Sequence, residues 1–124
     1  MNDLIGLEYR WGAKPGDGSR QTDCFQLACE IRRRMGLSDL SEEFAWTYEQ
    51  YSAETLKRSR LARWLLQRGE RIKMARHGAM ALIAKSNNAA LGTVVGQRLV
   101  FIAPGGRVIS APTSRVLTHC FWVE

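Results

Sequence analysis

The residue in this chain best able to do covalent chemistry is Cys24, which follows Asp23 directly. The apolar pattern after it, Leu27, Ala28, Ile31 and Met35, recurs at three-and-four spacing and marks a helix that Cys24 opens. A helix start leaves backbone N–H groups unpaired and carries partial positive charge. A thiol held there can ionise to the thiolate, the form that attacks carbonyls. The competing reading is a small buried apolar residue, the commonest fate of an unpaired cysteine. A nucleophile also needs a base, and the chain holds two histidines, His77 and His119. Thr22 or Asp23 is a natural cap for that helix, and the Asp23 charge would raise the neighbouring thiol's pKa rather than lower it.

Three cysteines, Cys24, Cys29 and Cys120, are an odd number with no CxxC spacing. Neither a disulfide framework nor a metal site is expected, and no cofactor is implied. The first residues, MNDLIGLEYRWG, lack a basic stretch followed by an apolar one, so no secretory signal is expected. No apolar run reaches membrane-spanning length. With 124 residues, 45% hydrophobic and 24% charged, the chain is expected to form one α+β domain.

The positioning elements read as follows. Asn2 or Asp3 caps a short helix, Leu4 to Glu8. Gly12 to Ser19 is loop. The central helix runs from Cys24 to Met35, with Arg32, Arg33 and Arg34 in its last turn and Gly36 ending it. A second helix spans Glu42 to Tyr51, with Phe44, Tyr48 and Tyr51 on one face. A third spans Ala53 to Arg68. Strands follow at Ala79–Ala84, Leu91–Val95, Leu99–Ala103, Arg107–Ser110 and His119–Val123, with a turn at Asn87-Asn88.

Net charge is +6, and residues 57–76 hold eight basic side chains against one acid, Glu70. Lys57, Arg58, Arg60 and Arg63 lead this face. It reads either as a solvated helix surface or as an electrostatic footprint for a polyanion or an acidic partner. No established nucleic-acid motif accompanies it.

Tyr9-Arg10-Trp11-Gly12, a Gly/Asp/Ser loop, and Asp23-Cys24-Phe25-Gln26-Leu27 at a helix start together resemble the NlpC-type cysteine peptidases. The resemblance covers about the first third of the chain, with Gln26 in place of the usual glycine. It implies a papain-like fold, N-terminal helices packed on a small antiparallel sheet, with Cys24 at the nucleophile position and Tyr9 beside it. It also implies a histidine opening the second strand and a polar orienting residue on the next. The corresponding stretches here are Ala90-Leu91-Gly92-Thr93 and Val100-Phe101-Ile102-Ala103-Pro104. Ala90 then stands at the base position and Ile102 at the orienting one, and neither can move a proton.

The expectation is therefore a non-catalytic NlpC-like structural or assembly module. Phages carry compact members of this family, so it is expected as a tail or tail-hub virion component. It would form in the host cytoplasm and contact other virion proteins rather than nucleic acid or membrane. The alternative is an active cysteine peptidase or amidase cleaving peptidoglycan peptides through Cys24, with His77 or His119 as an unconventional base.

Overall fold

The computed structural model describes residues 1–84 and 91–124, with Arg58 described by its backbone only. The chain opens on a 3-10 turn, Asn2–Leu4. The expected helix over Leu4–Glu8 does not form, because Gly6 at φ +92° turns the chain out of helical space. Two short strands follow, β1 (Glu8–Tyr9) and β2 (Gln21–Thr22), paired in parallel with Tyr9 opposite Thr22. The sequence pattern does not announce this pair, whose backbone bonds bracket the polar loop.

Helix α1 (Cys24–Arg34) follows at once. The Asp23 side chain caps it, and Gly36, at φ +73°, carries the chain away from its end. Its buried residues are Phe25, Leu27, Ala28, Cys29, Ile31 and Arg32. Arg32 is therefore not a solvated last-turn charge like Arg33 and Arg34. It is 1% exposed.

The second helix shrinks to one turn, α2 (Thr47–Gln50), preceded by irregular turns. The third, α3 (Arg58–Arg68), starts five residues later than the apolar spacing suggests. The Ser52 N–H donates to Thr55 Oγ1 at 2.7 Å, a local side-chain bond that competes with helix propagation.

The rest is sheet: β3 (Glu70–Ile72), β4 (Met80–Ile83), β5 (Leu91–Val95), β6 (Arg98–Ile102), β7 (Val108–Pro112) and β8 (Thr118–Val123). They form one antiparallel sheet in the order β3-β8-β4-β5-β6-β7. β3 is an element the sequence reading lacks. The turn expected at Asn87-Asn88 lies outside the described residues. This is an α+β architecture.

Side chains alternate across the strands, so the sheet has two apolar faces. One, with Met80, Leu82, Leu91 and Trp122, packs against Phe25, Ala28, Cys29, Leu61 and Leu65 of α1 and α3. The other gathers Ala81 of β4, Val94 of β5, Leu99 and Phe101 of β6 and Phe121 of β8, with Ile72 and Ala111 from the edge strands. Residues from both edges meet in one cluster, so the sheet curls around that core. Gly92 lies on this face, where a Cβ would lie 3.0 Å from Leu99 Cγ and 3.2 Å from Phe101 Cβ. A third cluster joins Leu4, Leu27, Ile31, Val100 and Val108 beneath the rest of α1.

Candidate functional site

Cys24 is the first residue of α1, and two sets of bonds fix its place. Arg10 N–H donates to the Thr22 carbonyl at 3.0 Å and Asp23 N–H to the Ala13 carbonyl at 3.0 Å, closing the polar loop against the helix start. The Asp23 carboxylate then accepts from Gly12 N–H at 2.9 Å and from Gln26 N–H at 2.7 Å. One buried carboxylate thus ties the Trp-Gly segment to the helix N-terminus. Burial pushes the Asp23 pKa up, against the downward pull of those backbone N–H groups and of the nearby Tyr48 hydroxyl. The Tyr48 hydroxyl is itself buried beside this carboxylate without closing a hydrogen bond of good geometry.

The sulfur sits at the edge of an apolar pocket lined by Trp11, Phe25, Phe44, Tyr48, Leu61 and Trp64, among others. Trp11 and Tyr48 pack with ring centroids 4.9 Å apart, and Phe44 stacks on Trp64 at 5.8 Å. The cavity is about 20 Å³, room for something the size of water. Burial first, and the Asp23 charge second, push the Cys24 thiol up to about 12. The Leu91 backbone N–H, directed at the sulfur, pulls the other way without offsetting them. This is the reverse of a catalytic cysteine, whose environment lowers its pKa.

The structure places the Tyr9 phenol near this group. Its pKa is raised by burial and then by the Cys24 and Asp23 charges. Strand geometry holds His77 away from it. His77 is exposed, and its Nδ1 accepts from Gly96 N–H at 2.7 Å in the turn after β5. Leu91, beside the sulfur, lies at the opposite end of β5, roughly 16 Å away along an extended strand. His119 is exposed on β8, between Thr118 and Cys120. It is the extra residue where the register with β4 slips, Leu82 opposite Cys120 and Ile83 opposite Thr118, so strand alternation does not set its side. His77 thus stands at the turn after β5, and His119 on β8.

Ala90 lies outside the described residues. Leu91, however, faces the helices, and extending the Thr93–Val100 register by two residues sets Ile102 opposite it on β6. Ile102 packs with Leu4, Leu27 and Ile31 under α1, and its side chain is hydrocarbon. A family model matches residues 4–123, described as a domain of unknown function, DUF6950. The chain belongs to the DUF6950 family. No curated protein and no solved structure matches it.

In this DUF6950 chain the basic candidates lie apart from the thiol. Arg60 covers the Tyr51 ring at 5.6 Å, while Lys57 and Arg63 are exposed. The side chain of Arg58 lies outside the described residues. Among the described residues no three His, Cys, Asp or Glu side chains gather to hold a metal, and no helix is long and apolar enough to cross a membrane.

The sequence reading missed the pocket walls Trp11, Phe44 and Trp64 as neighbours of Cys24, because tertiary packing alone brings them together. It also missed Arg32 as a buried group. Its guanidinium donates to the Ser38 carbonyl at 2.9 Å and to Glu124 at 2.6 Å, and it lies 5.5 Å from the Trp122 ring centroid. The available signal was its place among Ala28, Ile31 and Met35 on the apolar stripe.

Proposed function

We propose that this chain is a non-catalytic NlpC-like structural or assembly module, a phage tail or tail-hub component that forms in the host cytoplasm and enters the virion. The observation carrying this reading is the surroundings of the Cys24 sulfur. Burial and Asp23 hold the thiol protonated, and on the resemblance the sequence sets Ala90 and Ile102, which move no proton, where a base and its orienting partner are needed. Without a base, cysteine acylation loses several orders of magnitude in rate. The helix-then-sheet order and the Tyr9–Cys24 proximity support a papain-like NlpC ancestry for the fold.

That same proximity favours a second reading, a peptidase or amidase acting on peptidoglycan peptides through Cys24. One assay separates the two. The chain is incubated with muramyl peptides and new amines are measured beside a Cys24→Ala variant. No release above background is expected from either. Release by the wild type that Cys24→Ala abolishes overturns the proposal. The virion assignment is tested separately, by probing purified particles of the encoding genome with antibody to the chain; absence from the particles overturns it.

A further inference from the structure

The positive charge of this chain is local. Residues 57–76 carry a net +7, and all the other residues together carry −1. The three arginines at the end of α1 are neutralised by carboxylates: Arg32 by Glu124, Arg33 by Glu30 and Asp39, Arg34 by Glu30 and Asp3. In residues 57–76 the described side chains behave differently. Arg68 pairs with Glu43, but Lys57, Arg60, Arg63, Arg71, Lys73 and Arg76 form no ion pair among the described residues. Two apolar side chains stand out in solvent among them, Leu66 at 48% and Met74 at 80% exposed.

The fold brings these residues onto one border. Arg63 and Leu66 are neighbours one turn apart on α3. Gly69 then joins α3 to β3 so closely that a Cβ there would collide with the Val123 carbonyl. β3 is the edge strand of the sheet, and Arg71 stands opposite Trp122 on the face that α3 covers. α3 packs beside β3, so Arg63 and Leu66 lie on the helix that borders the strand of Arg71, with Lys73 and Met74 just past that strand's end.

Resting on the assembly reading above, we infer that this border docks an acidic segment of a partner protein that carries an apolar residue among its carboxylates. Exposed arginine and methionine are the side chains enriched in protein interfaces. A strand for single-stranded nucleic acid would instead present aromatic platforms for base stacking. The aromatic rings around it are taken up, Tyr51 by Arg60 and Trp64 and Trp122 by the core.

The test is selection from a random peptide library on the immobilised full chain, with affinities measured by fluorescence anisotropy at fixed salt. Selected peptides are expected to be acidic and to share one apolar anchor. Arg63→Glu/Arg71→Glu should weaken them by about tenfold or more, as loss of interfacial charge complementarity does. The charge-matched control Lys14→Glu/Arg115→Glu should bind like the wild type, with circular dichroism checking that both variants fold. No enrichment, neutral or basic peptides, or equal losses in the two variants overturn the inference. So does tighter, steeply salt-dependent binding of a single-stranded 20-mer oligonucleotide, which assigns the border to nucleic acid. Cleavage of a selected peptide that depends on Cys24 would instead sink the non-catalytic reading and leave the docking surface standing.

Discussion

The two ends of α1 each bury a charge, and they handle it in opposite ways. At the N-terminal end the Asp23 carboxylate meets only dipoles: two backbone N–H groups and the positive end of the helix. At the C-terminal end Arg32 meets a full counter-charge, Glu124, together with the Ser38 carbonyl and hydroxyl. The first arrangement leaves negative charge beside a thiol that burial already holds protonated, and adds to that hold. The second clamps the chain end onto the helix and does nothing to the thiol. Burial of a charge beside a nucleophile therefore does not itself make a reactive site; its sign and its partners decide.

The largest effect is expected where the counter-charge is removed. Taking one partner from a buried ion pair typically costs about 3–5 kcal/mol, since the remaining charge is stranded. Glu124 is partly exposed, so Glu124→Ala should cost about 2–3 kcal/mol in denaturant unfolding, at or below the low end of that range. Arg32→Met should cost less, because Glu124 can then turn to water. Equal losses in the two variants would show that the pairing of Arg32 is not what stabilises this end.

Asp23→Ala should come next, at about 1–2 kcal/mol, the usual cost of a lost N-cap with a second backbone N–H left unmet. An unchanged midpoint would mean that water replaces the carboxylate at both N–H groups, and the contrast between the helix ends would vanish.

How much of this was readable beforehand follows from the range of the interactions. The cap at Asp23, the start of α1 and strand β5 at Leu91–Val95 were legible because each rests on local spacing. Helix α3 began late because a Ser52–Thr55 bond, local but not periodic, intervened. β3 was hidden because Glu-Arg-Ile carries no strand alternation of its own and forms by pairing with β8. At the site, Cys24 and its cap were legible. The place of His77 was not, since it depends on which end of β5 it occupies. Arg32 was hidden for the same reason, because its partner is 92 residues away.

A smaller effect should appear at the thiol. Asp23→Asn removes the second cause of its raised pKa but not the first, burial. The midpoint for alkylation of Cys24, read against a Cys24→Ala background, should move down from about 12 in Asp23→Asn while staying above the ordinary 9.0. A drop to or below the ordinary value would make the carboxylate, not the apolar pocket, the main guard of the thiol.

The smallest effect is a pair of opposed pH slopes. Hydrogen bonding from Ser38 and attraction to Arg32 hold Glu124 below its ordinary 4.5 in the folded state, against some burial. A depressed carboxylate contributes stability that is present above the unfolded pKa and lost as pH falls through the folded one. Asp23 is shifted upward by burial from 3.8, so its contribution runs the other way: it is fully present below the unfolded pKa and lost as pH rises through the folded one. Between neutral pH and about pH 3 the two partly cancel. Glu124→Gln should therefore flatten the acid loss of stability relative to wild type, and Asp23→Asn should steepen it. If both variants change the slope in the same direction, the two buried charges are not held in the opposite ways their partners imply.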